Sequence, residues 1–181
     1  MSNLPAPGAY TVDPVHTNVT FIARHLVASK VRGSFTDFAG AITIGDTVET
    51  TSVEGTVQAA SVTTNNEMRD NHLRSADFLE HEKFPTLTLT STKVTASGSD
   101  RFEVVTDLTV HGVTKSVTFD VEYLGSGPSM APGVTVVGFE ARAEIDRRDF
   151  GINFDGALEN GNLVVGHKVI LELTIEASKQ D

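Results

Sequence analysis

The chain has no cysteine and no tryptophan among its 181 residues. Without thiols, disulfides, thiolate catalysis and cysteine-type zinc sites are excluded. Two tyrosines stand against ten phenylalanines, so the aromatic content is almost entirely apolar and suits an interior whose rings need no hydrogen-bond partner. Basic residues are scarce: 14 Lys and Arg against 24 Asp and Glu give a net charge of -10, and no Lys/Arg run offsets it locally. Nucleic acid and anionic membrane surfaces are therefore poor partners. No apolar span of about 20 residues is present, so no integral membrane helix is expected. Residues 1–23 hold neither Lys nor Arg and no apolar run of signal-peptide length, which points to a cytoplasmic location. There is no Gly-x-Ser-x-Gly elbow, no glycine-rich phosphate loop before a helix and no internal repeat.

What is present is alternation. The length suits one domain, placed at residues 10–177 between a flexible arm at 1–9, rich in Pro and Gly, and a tail at 178–181. Asn18 to His25 puts Val19, Phe21, Ala23 and His25 on one face, as a half-buried strand requires. Phe35 lies inward in a segment from Val31 to Thr43, where Gly33 and Gly40 mark bends or bulges. Leu89 lies inward in the strict Thr/Leu alternation of Thr86 to Thr90. Val104, Thr106 and Leu108 share a face of the strand from Arg101, and His111-Gly112-Val113-Thr114 makes a tight hairpin turn into a return strand with Phe119 and Val121 inside. Phe139, Ala141 and Ile145 follow, and then Val165, His167, Val169 and Leu171.

One stretch breaks the pattern. Residues 64–85 predict the one helix: Thr64 and Glu67 have capping-box spacing, and Pro85 forces a stop. Met68, His72, Ala76 and Leu79 fall within about 80° of one another on a helical wheel, a narrow apolar stripe. Phe78 falls off it. Met68, His72 and Leu79 are accordingly expected to face the interior.

About eight long amphipathic strands must curl, split or close, because unpaired edges invite aggregation. Barrel and sandwich both fit one apolar face per strand. The inward Phe and Leu residues and the glycine-marked bends favour an all-β fold, an eight-stranded antiparallel barrel whose short helix closes an end. The inward residues named above are then the candidate ligand contacts, with His25 and His167 orienting a ligand's polar end inside an apolar cavity. None of the six histidines forms a helical i, i+4 pair or a His-x-His pair on a strand, so no metal site, no cofactor and no catalytic residue is assigned. Two alternatives remain: a metal-dependent enzyme using His25 or His167 with a carboxylate, and an interaction protein whose barrel is filled by its own side chains. Arg147 alternates onto the face of Ile145. It could pair with Asp70 or Asp77 to pin the helix, or meet an anionic ligand head.

Several segments together resemble the YceI-like family of polyisoprenoid-binding proteins. They are Tyr10-Thr-Val-Asp-Pro-Val-His16, Val19 to Leu26, Val31-Arg-Gly-Ser-Phe-Thr-Asp-Phe-Ala-Gly40, Arg69 to Phe78 with Phe84-Pro85, Leu108-Thr-Val-His-Gly-Val-Thr-Lys115 and Arg147-Arg-Asp-Phe-Gly-Ile152. They occur in order and at the family's spacing. Thr17 stands where Ser is usual, and Asp107 where Gly is common. The resemblance implies a lipocalin-like barrel with a long tunnel and no catalysis. It also implies a bound polyisoprenoid, isoprenoid quinone or fatty-acid derivative as partner, and often a homodimer.

Overall fold

A computed structural model describes residues 3–26, 28–156, 159 and 163–180. Among them are eleven strands and one α-helix: β1 (Gly8–Val12), β2 (Asn18–His25), β3 (Ser29–Phe35), β4 (Phe38–Ile44), β5 (Ser52–Gln58), β6 (Val62–Thr63), α1 (Glu67–Arg74), β7 (Thr86–Ala96), β8 (Arg101–Val110), β9 (Val113–Pro128), β10 (Thr135–Asp146) and β11 (Val165–Lys179). All pairings are antiparallel. β1 and β2 lie one after the other along β11, β4 and β3 pair with them in turn, and β5 and β6 pair with β4 and β3. These six short strands make three broken staves, and β7 to β11 supply five more. The ring closes where β1 and β2 meet β11, through pairs such as Tyr10↔Lys179 and Leu171↔Phe21. The result is a closed eight-stranded antiparallel barrel with one helix.

The alternation read from the sequence becomes the lining of the bore. At the helix end Leu108, Val110, Val117, Phe119, Phe150 and Ile152 form one buried cluster together with Phe78. Toward the other end Tyr10, Ile42, Ile44, Val137 and Phe139 form a second cluster, and Val48, Val94, Phe102 and Val104 a third. Two glycines are required by close approach. Gly33 pairs with Phe21 across β2 and β3, and a Cβ there would fall 2.2 Å from that ring. At the hairpin between β8 and β9 both His111 (φ 52°) and Gly112 (φ 72°) have positive φ. That is the twist-matched geometry of a two-residue hairpin turn. A Cβ on Gly112 would also strike the Phe84 ring at 2.4 Å.

Three expectations are corrected here. The arm at 3–9 is held, not loose: β1 begins at Gly8, Asn3 N–H donates to Ser99 O (2.6 Å), and the Tyr10 hydroxyl donates to Ala6 O (2.7 Å). The tail is shorter than 178–181, since Ser178 and Lys179 still pair in β11. The helix starts on Asn66, whose side chain accepts from the Arg69 N–H (3.0 Å). Thr64 instead donates its N–H and hydroxyl to Asp70 (2.7 and 2.5 Å). Asp70 is the buried residue of α1 and Leu73 packs on the core beside it, so the inward helical face joins a satisfied carboxylate to one leucine and is not the stripe of Met68, His72, Ala76 and Leu79.

Candidate functional site

The centre of the barrel is hollow. A cavity of about 260 Å³ occupies the half toward the helix, and a second of about 80 Å³ adjoins it toward the other end. The two share Ile42, Val53, Leu89, Phe119, Leu173 and Ile175 in their walls. Each stave contributes by the same mechanism: the pleat sends every second side chain inward.

Of the residues expected from alternation, Val19, Phe21 and Ala23 of β2 and Phe35 of β3 border the larger cavity. So do Leu89, Leu108, Phe119 and Ile145, and Val165, Val169 and Leu171 of β11, together with Leu79 from the expected helical stripe. Val104, Thr106, Val121, Phe139 and Ala141 border the smaller one. Thr106 has no hydroxyl donor to spare, because it donates to Val117 O at 2.9 Å and is 1% exposed.

Four expected contacts lie outside both cavities. Met68 is 84% exposed. The wheel that turned it inward ran through Ala76 and Leu79, but α1 ends at Arg74, so the 100° step does not carry that far. His72 is exposed for the same reason: its Nε2 lies 2.7 Å from Asp77 Oδ2, and its ring packs edge-on against Phe78 and Phe154. His25 ends β2 at the rim, beyond Ala23. His167 falls in a bulge. Val165 pairs with His25 and Val169 with Ala23, so three residues of β11 stand against Arg24 alone. Its imidazole Nε2 lies 3.1 Å from Asp155 Oδ1. The two histidines that the metal-enzyme alternative needs in the bore do not border it, and the cavity itself departs from a barrel filled by its own side chains.

Phe78 was set aside by the wheel, yet it is buried and borders the cavity with Leu73, Phe150 and Ile152. No local periodicity marks these residues, since they sit at or beyond the ends of short helical turns. Ile42, Val53, Val57, Leu87, Leu173 and Ile175 also line the cavity and do follow the alternation.

Arg147 is the buried charged residue of the bore among the described residues. It opens a short 3-10 turn (Arg147–Phe150) after β10, is 4% exposed and borders the larger cavity. Its Nε donates to Gly166 O (3.0 Å), Nη1 to Ile152 O (2.7 Å), and Nη2 to Val165 O (3.1 Å) and Asp155 Oδ1 (3.4 Å). The expected partners Asp70 and Asp77 are engaged elsewhere, with Thr63, Thr64 and His72. Burial pulls the guanidinium below its usual range, and Asp155 works against that. The hydrogen bond from His167, assisted by the charge of Arg147, holds the Asp155 carboxyl below its ordinary range.

Away from the cavity, one oxygen of Asp13 and one of Glu176 lie 2.7 and 3.6 Å from Nδ1 of His16. These are donors a metal could use. His16 is exposed, its pKa is raised by Asp13, and that of Asp13 is lowered by His16. The arrangement is that of a surface ion pair. Thr17, next in sequence, is buried and exchanges hydrogen bonds with the Glu176 backbone (3.0 and 3.1 Å), so its hydroxyl seals the join between β1 and β2.

The pattern of the YceI-like domain matches residues 10–177. The chain belongs to the YceI-like family. A UPF0312 protein of Staphylococcus aureus is 38% identical over 171 residues, covering 93% of this chain and 96% of that one. Among solved structures, the YCEI protein of Campylobacter jejuni is 28% identical with a TM-score of 0.73, over 87% of this chain and 90% of that one. BcnA of Burkholderia cenocepacia, 17% identical, shares the fold at a TM-score of 0.77 over 91% and 98% of the two chains. A polyisoprenoid binding domain from Saccharophagus degradans, 16% identical, does so at 0.66 over 94% and 98%.

Proposed function

We propose that the barrel binds a long-chain amphiphile, a polyisoprenoid, isoprenoid quinone or fatty-acid derivative, for carriage, storage or sequestration, and performs no catalysis. The observation that carries this reading is the apolar cavity of about 260 Å³. Interiors are normally close-packed. At about 24 cal/mol per Å³, a void of this size forgoes roughly 6 kcal/mol of packing, which is comparable with the whole stability of a domain, about 5–15 kcal/mol. A hydrocarbon chain recovers that energy at about 25 cal/mol per Å² of apolar surface buried. Discrimination between chain types is then loose, since one methylene is worth about 1–3 kcal/mol.

Family membership and a neighbour of the same fold that is a polyisoprenoid binding domain support the same reading. A cytoplasmic homodimer is the location and assembly we propose with it; cell fractionation and light scattering on the purified protein test both. The function itself is tested by gentle purification, organic extraction and mass spectrometry of the extract. A lipid at near-stoichiometric yield is expected. An empty extract, together with failure to take up prenyl or acyl chains, sinks the proposal.

A further inference from the structure

The lipid-binding reading leaves open which way the ligand lies and what its polar end is. Resting on that reading, we infer that Arg147 receives an anionic head, a carboxylate or a phosphate, at the helix end of the bore, with the tail directed toward Val94, Phe102 and Val104.

Charge singles out the position. Among the described residues bordering either cavity, only Arg147 and Glu54 carry acidic or basic side chains, and Glu54 is exposed on β5. Arg147 is therefore the one buried charge that a ligand inside the barrel meets. Its one ion-pair partner among the described residues is loosely held. Three of its acceptors are neutral backbone carbonyls. The fourth is Asp155, 3.4 Å away, exposed, and shared with His167. A buried cation whose countercharge is at long hydrogen-bond range, exposed and shared favours an anion delivered into the site. Donor capacity remains as well. A guanidinium carries five N–H groups, and four have acceptors here. The fifth, on Nη1, has no acceptor among the described residues and can serve a ligand oxygen.

The other end of the bore gives no such reception. The smaller cavity is walled by Leu4, Ile44, Val94, Phe102 and Val104, and its Thr106 and Thr51 hydroxyls already donate to Val117 O and Thr47 O. A head buried there goes without a partner, which is costly. From Phe102 to Val110, β8 covers about 26 Å at roughly 3.3 Å per residue, so the two orientations place the chain ends far enough apart to distinguish.

The test uses the wild-type protein, isotopically labelled at methyl groups, with stearic acid carrying a doxyl spin label near either its carboxyl or its methyl end. The tail label is expected to bleach the methyl signals of Val94 and Val104. The carboxyl-side label is expected to bleach those of Ile152 and Val165. The reverse pattern, or equal bleaching at both ends by each probe, overturns the orientation while leaving lipid binding standing. No bleaching by either probe overturns the lipid reading and this inference with it.

Affinities of hexadecanoic acid, hexadecyl phosphate and hexadecanol then test the head. At least one of the two anions is expected to bind about tenfold more tightly than the alcohol, the gap between charged and neutral hydrogen bonds; the tighter anion names the head. Equal affinities for all three overturn it. Asp155→Asn removes the competing carboxylate from an exposed position. It is expected to tighten the acid about threefold and leave the alcohol unchanged. An acid that binds no more tightly to this variant removes Arg147 from the role.

Discussion

Filling the bore separates a hollow barrel from a packed one, because the two predict opposite signs. Ala23 borders the larger cavity and pairs with Val31 on β3 and Val169 on β11. Ala23→Phe projects a benzyl group into the void of about 260 Å³. If the ring occupies roughly a third of it, the ligand-free protein gains about 2 kcal/mol at about 24 cal/mol per Å³. For a chain of this size that raises Tm by about 4–8 °C. The same ring takes the place of the hydrocarbon chain, so uptake of a fluorescent acyl probe falls sharply. The assay is thermal unfolding of delipidated wild type and variant, with probe titration of both. A packed interior gives the opposite result: overpacking costs about 1–3 kcal/mol. A lower Tm with undiminished uptake would refute the reasoning.

Three further outcomes follow from particular contacts. Phe119 is 3% exposed and borders both cavities, so Phe119→Asp puts a carboxylate in an apolar interior. It should cost more than about 4 kcal/mol and abolish lipid uptake, as read by denaturant unfolding and probe titration. His167 turns to Asp155 and away from the cavity. His167→Leu should therefore leave lipid affinity within about twofold, the scale of an ordinary surface change; a larger shift in a competition assay would return His167 to the bore. Asp70 reports on acid stability. Burial alone would raise its carboxyl, but the hydrogen bonds from Thr64 and Thr63 and the charge of Arg74 hold it below the ordinary value of 3.8. A depressed folded pKa contributes stability that is present above the unfolded value and lost as pH falls through the folded one. Asp70→Asn should lower Tm at neutral pH and flatten its decline below about pH 4. A parallel decline in both proteins rules Asp70 out as the acid-labile group.

Much of the barrel was legible in the chain because alternation is a backbone property. Successive side chains point to opposite faces whatever the strand pairs with. Val19, Phe21 and Ala23, or Val169 and Leu171, can therefore be assigned to the lining from spacing alone. The excess of Phe over Tyr and Trp was likewise a direct sign of an interior that asks for few hydrogen bonds. The misplacements have equally physical causes. Met68 and His72 were turned inward by a wheel that presumed a helix longer than α1. Phe78 was turned outward by the same wheel, although after the C-cap at Ser75 the chain direction is set by packing against Phe150 and Ile152.

The sequence by itself determined the number of staves, the apolar character of the bore, the presence of a tight hairpin turn after His111 and the acidic balance of charge. All of these depend on residue type and on neighbours a few positions away. Only the tertiary structure decided that His167 leaves the lining and that Arg147, inward by alternation, is held there by backbone carbonyls and Asp155 rather than by Asp70 or Asp77. Both depend on the bulge in β11, where three residues oppose one on β2 and the carbonyls of Val165 and Gly166 accept from Arg147. A bulge comes from the register between strands far apart in sequence, and so does the void it borders; neither leaves a mark in the local spacing of the residues that form it.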